Sequence, residues 1–125
     1  MHPGFSQWLL ALFFATAGIL HFVFPANYIA IMPPWLPAHA LLVQISGVCE
    51  IAGGVGVLIA WTRRLAGIGL IALSLAVLPA NVQMLLNAHA ADAGMWWQAV
   101  LVVRLPLQLL LIYWIWTATR PRVVC

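Results

Sequence analysis

Four stretches of about twenty apolar residues, joined by short links, fill nearly the whole chain, at about 5–24, 40–61, 65–87 and 95–118. The hydrocarbon core of a bilayer is about 30 Å thick, and about 20 helical residues cross it. Hydrocarbon offers backbone groups no water, so each run must satisfy its own amides as a helix. The expected fold is therefore all-α, an integral membrane four-helix bundle in which residues 1–125 form a single transmembrane domain. Composition agrees, with 66% hydrophobic and only 6% charged residues. A water-soluble domain carries about a quarter charged residues. The lipid bilayer is accordingly the first partner of this chain.

The links have their own chemistry. Pro25 and the stretch Met32-Pro33-Pro34-Trp35-Leu36-Pro37 interrupt the helical pattern. Residues 25–39 are expected to form a Pro-rich loop lying against one leaflet or capping the bundle, because each Pro fixes φ and biases its predecessor towards extended backbone. A shorter polar link runs from Ala88 to Gly94. Ala15-Thr16-Ala17 resembles a signal-peptidase site, but Met1-His2-Pro3-Gly4 carries no Lys or Arg. The first run is read as a retained helix. Trp35, Trp61, Trp96 and Trp97 fall at run ends, where amphipathic rings suit the headgroup zone.

The arginines set an orientation. Arg63 and Arg64 lie between the second and third runs, and Arg120 and Arg122 follow the fourth. The other two links contain neither Arg nor Lys. With four spans, the positive-inside rule places both termini and Arg63-Arg64 in the cytoplasm, N-in/C-in, and the Pro-rich loop outside. The corresponding location is a bacterial inner (plasma) membrane. A formal charge of +3 does not make a nucleic-acid binder, because five dispersed arginines form no basic face. Cys49 and Cys125 are far apart and make no C-x-x-C pair, so dithiol chemistry has no support. Cys49 is expected to be buried, Cys125 free.

Within apolar runs the exceptions are informative. Glu50 lies near the middle of the second run and Arg104 about nine residues into the fourth. Each sits roughly 14–15 Å below the outer face at 1.5 Å per residue. A lone charge at that depth costs about 2.5–3.5 kcal/mol on insertion scales, so a Glu50–Arg104 ion pair is expected. It would serve either as a structural lock between helices or as part of a site. Gln108, one turn beyond Arg104, shares its face. His21, Gln44 and Asn81 fall in the outer half of their helices. Pro79 and Pro106 remove the donors that would bond the carbonyls of Leu75 and Val102. The six residues His21, Gln44, Glu50, Asn81, Arg104 and Gln108 are candidates to line an outward-opening polar pocket. For each neutral one, a hydrogen bond between packed helices is the simpler use. Gly47, Glu50 and Gly54 share one face, which lets a neighbouring backbone or a flat ligand approach.

No metal site is expected: His2, His21, His39 and His89 show no ligand spacing. Neither a phosphate-binding glycine loop, nor a Ser-His-Asp order, nor a pair of carboxylates is present. No haem, flavin or iron–sulfur motif marks an intrinsic cofactor, and autonomous catalysis is not indicated.

Gly18-Ile19-Leu20-His21-Phe22 followed by Pro25, the Met32-Pro33-Pro34-x-Leu36-Pro37 loop, Ser46-Gly47-x-x-Glu50, Arg63-Arg64, and Pro79-Ala80-Asn81 with Met84 occur in that order. Together they resemble the DoxX-like family of small four-helix membrane proteins, from about residue 18 to residue 87. The resemblance implies a compact four-helix membrane protein. Its namesake is associated with a thiosulfate:quinone oxidoreductase and another relative is a receptor-assembly chaperone, so it fixes no activity. His21, Glu50, Arg63, Arg64 and Asn81 match the family pattern without a role being transferred.

Two functions follow as expectations. One is a polar pocket binding a small amphipathic ligand, a quinone or lipid, accessory to a quinone-linked oxidoreductase. The alternative is a chaperone or assembly subunit for another membrane or peripheral protein, with Glu50–Arg104 only structural. Self-association is compatible with both, and a nucleic-acid partner with neither.

Overall fold

The computed structural model describes residues 2–121. The elements are α1 (Phe5–Val23), α2 (Pro25–Ala30), α3 (His39–Leu58), α4 (Arg63–Ala90) and α5 (Met95–Thr119), with no strand among the described residues. α1, α3, α4 and α5 are each long and apolar enough to cross a membrane. α4 has 28 residues, about 42 Å at 1.5 Å per residue, well beyond the hydrocarbon thickness. Side chains on the outer faces are apolar: Leu12, Val48, Val55, Ile68, Val103 and Leu109 are all exposed.

The long helices form a ring in the order α1, α3, α4, α5. α1 packs most extensively on α3, while the side between α1 and α5 is the loosest of the four. Small residues explain the α1–α3 contact. A Cβ added at Gly18 would lie 2.6 Å from the Gly47 carbonyl oxygen, and one added at Gly54 would lie 3.1 Å from the Ala11 carbonyl oxygen. The backbones therefore meet with nothing between them. The buried positions of α3 are Val43, Gly47, Glu50, Gly54 and Val57, one continuous helical face.

The bundle is closed at the end bearing the termini. Leu10, Phe14, Val57, Leu70 and Ile115 form the buried core there. Two hydrogen bonds tie α1 to α5 at the same end: Gln7 Nε2 donates to the Ala118 carbonyl (2.8 Å), and Trp114 Nε1 donates to Ser6 Oγ (2.7 Å). At the opposite end α2 and the Pro-rich segment take the place of a packed core.

The element boundaries differ from the sequence expectation in ways with clear causes. Residues 25–39 are not all loop, because Pro25 occupies the first turn of α2, where its fixed φ suits a helix and its missing N–H costs nothing. Arg63 and Arg64 begin α4 instead of lying in a link. Arg63 Nε donates to the Val57 carbonyl (2.7 Å), and Thr62 Oγ1 donates to the Gly56 carbonyl (2.8 Å). Both satisfy carbonyls orphaned at the end of α3. The α4–α5 link shortens to residues 91–94. Asp92, at φ 52°, turns the chain so that its N–H reaches the His89 carbonyl (3.1 Å) and the Ala93 N–H reaches the Ala88 carbonyl (2.9 Å). Arg120 follows α5 as its exposed cap, and Arg122 and Cys125 lie outside the described residues.

The glycine contact predicts an asymmetric response to substitution. Gly18→Ala should destabilise the protein by about 1–3 kcal/mol through forced separation of α1 and α3. Gly69→Ala, where an added Cβ meets nothing within 4 Å, should be neutral or stabilising by up to about 1 kcal/mol. Reversible unfolding in mixed detergent micelles measures both.

Candidate functional site

The half of the ring away from the core surrounds a partly open cavity of about 570 Å³. Small-molecule sites typically span about 300–1,000 Å³. All four long helices and α2 contribute to its wall. Its polar groups form two clusters and one isolated cation.

The first cluster is built on the α1–α3 glycine contact. His21 lies three residues beyond Gly18, and Glu50 three beyond Gly47, so the close backbones bring these two side chains together. His21 Nδ1 lies 2.7 Å from the Ala17 carbonyl oxygen and 3.1 Å from Glu50 Oε2. The shorter contact takes the Nδ1 proton, an assignment made from the hydrogen-bond geometry. Oε2 of Glu50 is then a close neighbour of the ring without receiving its hydrogen, and it is buried with no hydrogen-bond partner. The exposed fraction of Glu50 is only 8%. Leaving a buried acceptor unpaired costs about 1–3 kcal/mol, more when it is charged. Tyr28 of α2 covers the cluster, its ring stacked on His21 at a centroid distance of 4.0 Å and 18° between planes. Burial, and after it the nearby Glu50 carboxylate, raise the Tyr28 phenol above its ordinary pKa, against a lowering influence of Arg104. The hydroxyl stays protonated at neutral pH, so it can donate.

The second cluster joins α4 to α5. Asn81 Nδ2 donates to Gln108 Oε1, and Gln108 Nε2 donates to the Ser74 carbonyl. Ser74 Oγ in turn donates to the Leu70 carbonyl one turn back (2.8 Å). Pro79, inside α4, interrupts the helical ladder beside this network. Asn81 and Gln108 thus act between packed helices while still facing the cavity.

Arg104 lines the cavity from an exposed position, apart from both clusters. Its Nη1 donates to Met84 Sδ at 3.4 Å, a weak acceptor. No Glu50 oxygen lies within 4.0 Å of it, and the expected Glu50–Arg104 ion pair is not formed. Both residues line the same cavity, but their helices are not neighbours in the ring. α1 packs against the Glu50 face of α3, so the histidine of α1 reaches the carboxylate first. Equal depth follows from residue counting; the direction around the bundle does not.

Gln44 is a second correction: it is exposed and does not line the cavity. It follows Val43 by one residue, about 100° around a helix whose inward face carries Val43, Gly47 and Glu50. Val43 and Ser46 line the wall in its place. Cys49, also expected inside, is exposed for the same reason. Tyr28, Ser46, Ser74 and Trp114 are cavity residues that the reading of polar exceptions missed. Pro25 as a helix-starting signal was the available pointer to Tyr28. Arg63, Arg64 and Arg120 do not line the cavity.

Gln108→Leu should remove both bonds of the α4–α5 network and leave the Asn81 side-chain amide without its Gln108 acceptor. Interhelical hydrogen bonds in membranes contribute about 0.6–2 kcal/mol. Unfolding in mixed micelles should show a loss of that size, with Gln83→Leu, at a half-buried position whose amide bonds only to Asn87 of the same helix, close to unchanged.

A family model described as a domain of unknown function (DUF8561) matches residues 10–119, and the chain belongs to that family. No curated protein and no solved structure matches it. The matched span includes every residue of the cavity wall.

Proposed function

We propose that this is an integral membrane protein, both termini cytoplasmic, whose cavity binds a small amphipathic ligand of the quinone or lipid class. The observation that carries the reading is the buried carboxylate of Glu50, its Oε2 without a donor, in the wall of a 570 Å³ cavity. Intramembrane charges are costly and are retained chiefly where they bind or relay something. Around the carboxylate, Tyr28, Asn81 and the uncompensated Arg104 offer donors to a ligand's oxygens. Aromatic and aliphatic side chains such as Phe13, Phe14, Leu107 and Trp114 offer a dry wall to its apolar part. The motifs that resemble the DoxX-like family support a quinone by likeness, in a protein accessory to a quinone-linked oxidoreductase of a bacterial inner membrane. The orientation rests on the arginine distribution: Arg63, Arg64 and Arg120 stand at the ends of helices on the side of the termini.

The ligand reading is tested by mass spectrometry of the protein purified gently from its native membrane, with organic extraction. One quinone or lipid per chain, lost in Glu50→Gln, is the expected result. A ligand-free protein arriving with one stoichiometric polypeptide would replace it with an assembly role. The orientation is tested separately, in a chain whose Cys49 and Cys125 are changed to Ser. A membrane-impermeant thiol reagent should label Trp35→Cys in intact cells and Arg64→Cys only after lysis.

A further inference from the structure

Glu50 and Arg104 bring opposite charge types into one cavity and leave each other uncompensated. Glu50 Oε2 lacks a donor, and the Arg104 guanidinium donates to the Met84 thioether, a weak acceptor. More than 4.0 Å separates them. Two such poles, held apart by the packing of their helices, are complementary to a ligand head that carries the reverse pair. An ammonium would meet the carboxylate beside the stacked rings of His21 and Tyr28, and an aromatic face also attracts a cation. A phosphate would meet the planar donor fork of Arg104, which matches its oxygens. A dicarbonyl compound would satisfy Arg104 but bring no donor to Glu50. A purely anionic head would set its charge against the carboxylate.

The remaining wall decides what the head is attached to. Phe13, Phe14, Leu110, Leu111 and Trp114 make that side of the cavity apolar. A second, shallower groove of about 420 Å³ runs over the outer face of α1, lined by Leu9, Leu12, Thr16 and Leu20. Phe13, Ala17 and Trp114 belong to both. These three residues lie where α1 faces α5, the loosest side of the ring. An acyl chain can therefore leave the cavity sideways into surrounding lipid while its head stays between Glu50 and Arg104.

We infer that the cavity selects the zwitterionic ammonium–phosphate head of a bilayer amphiphile, ammonium on Glu50 and phosphate on Arg104, with the chain passing between α1 and α5. The inference rests on the cavity being the binding site for an amphipathic ligand. A water-soluble zwitterion would make the same polar contacts but leave the apolar wall and the lateral groove unfilled.

Native mass spectrometry of the purified full chain in detergent separates these cases. The probes are lysophosphatidylethanolamine, lysophosphatidylglycerol and monoacylglycerol with one common acyl chain, a quinone, and free phosphoethanolamine. Lysophosphatidylethanolamine should bind about tenfold more tightly than either other lipid, and free phosphoethanolamine should not bind measurably. Glu50→Gln should bring lysophosphatidylethanolamine down to the lysophosphatidylglycerol level. Arg104→Met should bring both phospholipids down to the monoacylglycerol level. Equal binding of the three lipids, or tighter binding of the quinone, overturns the head selection and leaves the amphipathic-ligand reading standing. Failure of every amphiphile to bind overturns both. If a variant does not fold, the ranking on the unmodified chain still decides the matter.

Discussion

The contact of α1 with α3 through Gly18 and Gly47 governs the rest of the molecule. Lipid tails are as apolar as leucine, so helices in a bilayer gain nothing from hiding leucine against leucine. They associate where backbones can approach closely and where polar groups find partners. Here the approach is close enough that no Cβ fits between the glycine of one helix and the carbonyl of the other. It settles which face of α3 turns inward, and with it the placement of Glu50 inside and of Gln44 and Cys49 outside. His21 then meets Glu50 because both side chains extend from the same tight crossing.

From that crossing the bundle diverges in character along its length. Towards the termini the ring closes on Leu10, Phe14, Val57, Leu70 and Ile115, and Gln7 and Trp114 tie α1 to α5. Towards the other end the space between the helices is left open, with a mostly apolar wall into which a few polar side chains are set. α2 covers this space with Tyr28, whose position depends on Pro25 restarting the helix directly after the break at Phe24. One end thus provides cohesion and the other a lined enclosure.

The polar residues of the enclosure divide by the work they do. Gln108 uses both ends of its amide to join Asn81 to the Ser74 carbonyl, which makes it a fastener between α4 and α5. Glu50 and Arg104 have no comparable fastening role, since neither closes a bond to a neighbouring helix through a matched partner. For the buried Glu50, stability alone would favour replacement by an apolar residue. Its presence in the cavity wall is the strongest physical argument for a ligand there.

Much of this was legible in the sequence. Run lengths of about twenty apolar residues determine four spanning-length helices, because a bilayer core demands that length and the backbone must bond to itself within it. Depth along each helix follows from a fixed rise per residue, which is why His21, Glu50, Asn81, Arg104 and Gln108 could be assigned to one region. What counting cannot supply is which helices are neighbours and how each is rotated. Those depend on the fit of Gly18 against Gly47 and of Gly54 against α1, a property of two surfaces and not of either segment. For that reason the sequence alone paired Glu50 with Arg104 and drew Gln44 into the pocket, whereas the tertiary structure set His21 beside Glu50 and left Arg104 lining the cavity with Met84 as its side-chain partner.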